Sequence, residues 1–251
     1  MDQLKIAIFG SSGAIGSALC KKYIQQENVE KVYCFSRKIT EVKHEKAHCF
    51  ILDYLDEENL STISSEINFS FDIILISIGA LLNPEKSIKD LNVEKFNNMI
   101  SANTLPTLLI GKYFLPKLNK NRISKFASLS ARVGSISDNF LGGWYSYRAS
   151  KSALNMIIKN FSIEINRTNK NSIIFGLHPG TVTSKLSDPF KNKNKNYFSP
   201  ETSADYLYNV IDTKTKNDNG KIFDWNNQEI LPYLCFGILS FTKYFFQKSS
   251  E

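Results

Sequence analysis

The chain has 251 residues, 31 Lys plus Arg against 24 Asp plus Glu, a net charge of +7 and 42% hydrophobic residues. That is ample apolar material for one large core and too much for a disordered chain. The positive balance does not mark a nucleic-acid binder, because no basic stripe is interleaved with stacking aromatics; the surplus gathers at Lys191, Lys193 and Lys195, in a low-complexity stretch that reads as a solvated loop.

Short apolar runs at 5–9, 31–36, 48–52, 72–78, 125–129 and 172–177 are too brief for most helices and rich in Ile, Val and Phe, as strands buried on both faces should be. Amphipathic segments at 15–26, 56–67, 93–118, 147–168 and 200–210 read as helices, the last opened by Ser199 as a cap and Pro200 at its first position. This alternation predicts an α/β fold: a doubly wound, Rossmann-type, mostly parallel sheet with helices on both faces, in one domain over 1–233. The apolar tail at 234–251 is too short to span a bilayer, and is expected to cover exposed core or meet a second subunit. His44, His48 and Cys49 do not have metal-site spacing, so no metal is expected. The four cysteines are scattered without a CxxC pair, and the first apolar run begins almost at once; a reducing cytoplasm is the expected compartment, with no membrane partner.

Strand one runs into Gly10-Ser11-Ser12-Gly13-Ala14-Ile15-Gly16 and then directly into a helix. Glycines there let phosphate oxygens approach the amides at a helix N-terminus, so Gly10, Ser12, Gly13, Ile15 and Gly16 are candidate dinucleotide contacts. A plain strand-to-helix turn would explain two of the three glycines equally well. At the end of strand two stands Arg37 and no acidic residue. A carboxylate there would suit the free 2′-hydroxyl of NAD, whereas an arginine suits the 2′-phosphate of NADP, unless Arg37 is simply a surface residue. Asp53 ends strand three and could accept from an adenine amino group or cap the next helix, although Asp56 is better placed for capping. Gly79, after strand four, would let backbone pass close to a ribose. All four features fall at carboxyl ends of strands, where open α/β sheets bind ligands.

Tyr147 and Lys151 stand four residues apart and therefore share a helix face. A phenol titrates near pH 10 (about 10) and is a poor proton donor–acceptor unless its anion is stabilised, which a neighbouring ammonium would do. Tyr145 has Ala149 at the same offset and lacks that partner.

Taken in order, the Gly-rich turn, Asp53, Gly79-Ala80, Asn103, a serine-bearing strand, Tyr147 with Lys151, and His178-Pro179-Gly180-Thr181-Val182-Thr183 resemble the short-chain dehydrogenase/reductase family over nearly the whole chain. Gly134-Ser135-Ile136 and Gly142-Gly143-x-Tyr145-x-Tyr147-Arg148 are most similar to its compact C-factor-like and carbonyl-reductase-like members. The resemblance implies hydride transfer between a nicotinamide cofactor, for which Arg37 favours NADP(H) over NAD, and a small-molecule carbonyl or alcohol. It assigns proton donation to Tyr147, lowering of the phenol pKa and ribose contact to Lys151, and a helix distortion and proton relay to Asn103. It also gives cofactor contact to Pro179, Thr181 and Thr183, and a homodimer or homotetramer. The family serine stands three residues before a glycine, which here is Ala131. Ser130 is the candidate, provided the strand stops near Leu129 and turns its hydroxyl toward Tyr147. Other readings are a cofactor-binding regulatory or signalling protein on the same fold, and a sugar-nucleotide epimerase, for whose larger C-terminal domain there is no room.

Overall fold

The strands are built from the β-branched and aromatic runs. In the computed structural model, which describes residues 3–39, 42–184 and 197–233, they are β1 (Leu4–Phe9), β2 (Val29–Ser36), β3 (Ala47–Ile51), β4 (Ile73–Ile76), β5 (Ser124–Leu129), β6 (Ser172–His178) and β7 (Ile222–Asp224). The helices are α1 (Ala14–Ile24), α2 (Glu57–Glu66), α3 (Val93–Asn103), α4 (Leu105–Phe114), α5 (Tyr145–Thr168) and α6 (Pro200–Thr213). The sheet order is β3-β2-β1-β4-β5-β6-β7, and every neighbouring pair is parallel. Strand order reverses between β1 and β4, which opens a crevice at their carboxyl ends.

Alternation along β1 shows how both faces are covered. Ile6 and Ile8 pack with Leu19 and Tyr23 of α1 and Leu207 and Ile211 of α6. Ala7 and Phe9 face the other way, onto Leu60 of α2, Phe114 of α4, and Leu154 and Ile158 of α5. Each such side chain contributes roughly 1.5–3 kcal/mol on burial, so a strand shifted by one residue would exchange both sets at once.

Three expectations change. The single helix expected at 93–118 is two: Thr104 leaves helical geometry (φ −113°, ψ −54°), and α4 restarts with a proline in its first turn, where a missing N–H costs nothing. Its Oγ1 instead donates to the carbonyl of Ser150 at 2.9 Å. A seventh strand, β7, was not anticipated; it is three residues long and pairs with Gly176–His178 through Ile222, Phe223 and Asp224. The run at 72–78 stops being strand at Ile76. Ser199 caps α6 as expected, accepting from the Thr202 amide at 3.0 Å. The Lys-rich stretch at 191–196 and the tail from 234 onward lie outside the described residues. Among the described residues, no helix is long and apolar enough to cross a membrane.

Candidate active site

A cavity of about 840 Å³ lies over the carboxyl ends of β1, β4, β5 and β6. Its floor at the β1 end is the Gly-rich turn. Gly10 lies in the left-handed region (φ 85°), and a Cβ on Gly16 would stand 2.2 Å from the Gly10 carbonyl oxygen, so this turn exists only because both are glycine. Ser12, Gly13 and Ile15 line the cavity. Helix α1 opens without a side-chain cap or an acidic residue in its first turn, and its amides are left for an anion. This is the cradle a dinucleotide pyrophosphate needs. Tyr54 supports it from below: its hydroxyl accepts from the Gly10 amide at 3.1 Å and donates to the Phe35 carbonyl at 3.2 Å.

Arg37 and Asp53 stand beyond the cavity wall. Arg37 is exposed, with its guanidinium over the Tyr54 ring at 5.9 Å. Asp53 is exposed and closes a turn by accepting from the Leu55 amide at 3.1 Å. Asp56 takes the cap of α2, accepting from the Asn59 amide at 3.0 Å.

Next to the Gly-rich turn comes the loop after β4. A Cβ on Gly79 would lie 3.1 Å from Asn103 Oδ1 and 3.4 Å from Lys151 Nζ; only glycine leaves both groups their positions. Asn103, 2% exposed at the end of α3, accepts from the Ala80 amide at 2.7 Å and donates to the Ala80 carbonyl at 3.0 Å and the Ser150 hydroxyl at 3.2 Å. It joins the β4 loop to α5 at the point where α3 gives way to α4.

Tyr147 and Lys151 both line the cavity. Lys151 donates to the Leu129 carbonyl at 3.0 Å, and burial lowers its pKa to about 8. Burial pushes the Tyr147 phenol up to about 12. The phenol is therefore shifted up by desolvation rather than down as expected, and it holds its proton at neutral pH; the phenolate that Lys151 would stabilise forms only once that proton is given away.

Ser130 corrects a second expectation. Strand β5 does end at Leu129, but the Ser130 hydroxyl donates to Asn155 Oδ1 at 2.6 Å rather than turning to Tyr147. Asn155 in turn donates to the Gly134 carbonyl at 3.3 Å, so Ser130 ties the end of β5 to α5. Ser130 and Ala131 both line the cavity, so the position is as expected and only the direction of the hydroxyl differs. Pro179 and Thr181 line the wall after β6, whereas Thr183 is exposed and outside it, its amide donating to the Phe198 carbonyl at 2.9 Å. Ser184 lines the cavity in its stead.

Sequence reasoning missed three features. His178 lines the cavity, and its Nδ1 is buried without a partner among the described residues. Burial, aided by the nearby Arg132 guanidinium, lowers its pKa to about 4 and keeps it neutral. Arg132 pairs with Asp138 at 2.9 Å and with buried Asp224 of β7 at 2.8 Å. Glu85 is buried beneath the start of α5. Burial raises its pKa, but the hydroxyl and amide of Ser146 and its own backbone outweigh that, and the carboxyl lies below the usual glutamate range. No sequence signal distinguishes Glu85 from a loop carboxylate.

The family model for short chain dehydrogenases matches residues 5–195. The chain is 30% identical over 173 residues to 1-hydroxy-2-glutathionyl-2-methyl-3-butene dehydrogenase of Rhodococcus sp. (strain AD45), covering 68% of this chain and 74% of that one. It is 27% identical over 144 residues to C-signal of Myxococcus xanthus, covering 57% and 82%. In structure it is similar to an NADPH-bound carbonyl reductase from chicken fatty liver, with a TM-score of 0.80, 19% identity, and coverage of 92% of this chain and 100% of that one. With a family match over well over half of its length, and a site in which the glycine turn and the Tyr147–Lys151 pair line one cavity over the carboxyl ends of the strands, the chain belongs to the short-chain dehydrogenase family of oxidoreductases.

Proposed function

We propose that the protein is an NADPH-dependent carbonyl reductase. The observation that carries the reading is that two groups of α5, half-buried Tyr147 and buried Lys151, line one cavity beside the glycine turn, the phenol keeping its proton to about 12 and the ammonium lowered to about 8. A protonated Tyr147 is a proton donor, which suits reduction better than oxidation. The reduced nicotinamide, when bound, supplies hydride. Tyr147 gives its proton to the carbonyl oxygen, and Lys151, still charged below about pH 8, stabilises the phenolate left behind. Asn103 holds the Gly79–Ala80 backbone so that Lys151 stays on that side of the cleft, and Ser12, Gly13 and Ile15 present the pyrophosphate cradle. Arg37, exposed at the carboxyl end of β2, supports a preference for NADP over NAD. Leu81, Leu141 and Trp144 line the substrate end and support an apolar carbonyl compound. Exposed Leu108 of α4, with Met156 and Ile163 of α5, supports a homodimer through these helices, to be checked by light scattering.

A panel of aldehydes and ketones, followed by loss of NADPH absorbance, tests the reading. One observation favours a second one, a cofactor-binding regulatory protein of little turnover: the Ser130 hydroxyl is committed to Asn155, and among the described residues no side chain hydrogen-bonds to the Tyr147 hydroxyl, the Ser150 hydroxyl reaching only its backbone carbonyl. NADPH binding without turnover of any panel member would establish that second reading.

A further inference from the structure

Helix α5 begins in a way that its own flank does not sustain. Gly142, Gly143 and Trp144 all occupy the left-handed region, with φ of 64°, 61° and 53°, and a residue as bulky as Trp is an outlier there. Trp144 stands at the cap position and makes no side-chain cap bond to the helix. What the flank lacks comes from Glu85, in the loop after β4. Its backbone carbonyl accepts from the Trp144 amide at 2.6 Å. Its Oε2 accepts from the Ser146 amide at 3.2 Å and from the Ser146 hydroxyl at 2.9 Å. From the helix side, Arg148 Nε donates to the Gly143 carbonyl at 3.1 Å.

Glu85 is 2% exposed, so these charge-assisted bonds act away from water, where they are strongest. Its second oxygen, Oε1, is buried without a partner among the described residues. A carboxylate buried with half of its capacity unmet is a poor stabiliser of a fold, and its position under the reacting helix is better explained by the site. We propose that Glu85 is a positioning residue: by holding the Trp144 and Ser146 backbone it fixes where the Tyr147 hydroxyl and the Trp144 ring stand in the cleft. Tyr147 follows Ser146 directly, and its ring meets that of Trp144 edge to face at 6.0 Å between centroids. Loss of the carboxylate frees Ser146 while the Glu85 carbonyl still holds the Trp144 amide, so the left-handed segment pivots about that bond and carries both rings with it. This inference rests on Tyr147 as the proton donor.

The test compares Glu85→Ala and Glu85→Gln by kcat, by KM, and by NADPH affinity from fluorescence titration. Misplacement of a reacting group by about 1 Å can lower a rate ~100-fold; Glu85→Ala is expected to lose kcat on that order while NADPH affinity holds. Glu85→Gln keeps an acceptor oxygen for Ser146 and is expected to restore most of kcat. Equal kcat in Glu85→Ala and the parent overturns the proposal, as does a Glu85→Gln enzyme no better than Glu85→Ala. Should Glu85→Ala fail to fold, Ser146→Ala removes one bond of the clamp and is expected to lower kcat by about tenfold, the worth of one such bond; an unchanged kcat overturns the proposal. A readout independent of turnover separates this from failure of the reductase reading. The chain has two tryptophans, so in a Trp225→Phe background acrylamide quenching reports on Trp144 alone. Quenching is expected to rise in Glu85→Ala and stay parental in Glu85→Gln; unchanged quenching in Glu85→Ala overturns the clamp even if no carbonyl is ever reduced.

Discussion

At the scale of single residues, the proposed roles of the two groups of α5 make the rate depend on pH. Tyr147→Phe removes the donated proton and nothing else, so turnover is expected to fall by about 10²–10⁴-fold with NADPH affinity unchanged. Retained turnover would remove Tyr147 from the chemistry. Lys151, with its pKa lowered to about 8 by burial, loses charge as pH rises through that value, and with it the stabilisation of the phenolate. The reduction rate, as kcat/KM, is therefore expected to be flat below about pH 8 and to fall above it. Arginine stays charged throughout, so Lys151→Arg should lose that inflection even if it is slower overall; an inflection at the same pH in the variant would assign it to another group. Ser130 is the residue at which sequence and structure part. Its distance from Gly134 along the chain could not tell which way its hydroxyl turns, because the buried acceptor that captures it, Asn155, comes from a helix two turns beyond Tyr147. Ser130→Ala is expected to lower stability by about 1–2 kcal/mol through the lost bond and the unsatisfied Asn155, with kcat little changed. A thermal melt beside a rate measurement decides it, and a collapse of kcat would return the serine to the reaction.

At the scale of elements, periodicity identified what is long and regular. The first six strands, α1, α2, α5 and α6 stand close to where their patterns put them, since each must bury one stripe against the sheet. Periodicity could not find β7, whose three residues are too few for a pattern and become a strand only because β6 offers an edge. Nor could it see the break at Thr104, because apolar residues continue in phase through α3 and α4. The break matters, since it places Asn103 at a helix end, where its amide reaches Ala80 and Ser150 together. Asn103→Ala leaves the Ala80 amide and carbonyl without these partners. Ala80 is only partly buried, so a loss of about 0.5–1.5 kcal/mol is expected for each bond removed, together with weaker NADPH binding as the Gly79–Ala80 loop loosens. Calorimetric unfolding and fluorescence titration would show both; a stability loss with unchanged affinity would separate the loop from the cofactor.

At the scale of the whole molecule, the sheet order puts the Gly-rich turn, the Asn103 junction and the Tyr147 helix around one cavity over the carboxyl ends of the strands, though they are spread over more than half of the sequence. The family resemblance was legible for that reason: order and spacing survive where single contacts do not. Burial was not legible, and so Glu85, His178 and the Arg132–Asp224 pair came only with the structure. Cofactor choice is expected to depend on one charge, that of Arg37, just beyond the carboxyl end of β2. Arg37→Asp replaces attraction by repulsion at a 2′-phosphate and should move the preference toward NADH; titration with both cofactors reads it, and equal affinities in the parent would refute the assignment. The same sheet order carries a consequence for how the chain is made. β1 is synthesised first yet lies in the middle, and its partner Ile73 follows Ile6 by 67 positions. At ribosomal rates of 5–20 residues per second, β1 waits roughly 3–13 s for that neighbour. During the wait the backbone edge of β1, with Ile6, Ile8 and Phe9, lacks its β4 neighbour, so the nascent chain should need a holding chaperone until β4 emerges from the exit tunnel. Ribosome-bound chains truncated before and after β4 should differ sharply in chaperone occupancy, and equal occupancy would show that β1 is covered some other way.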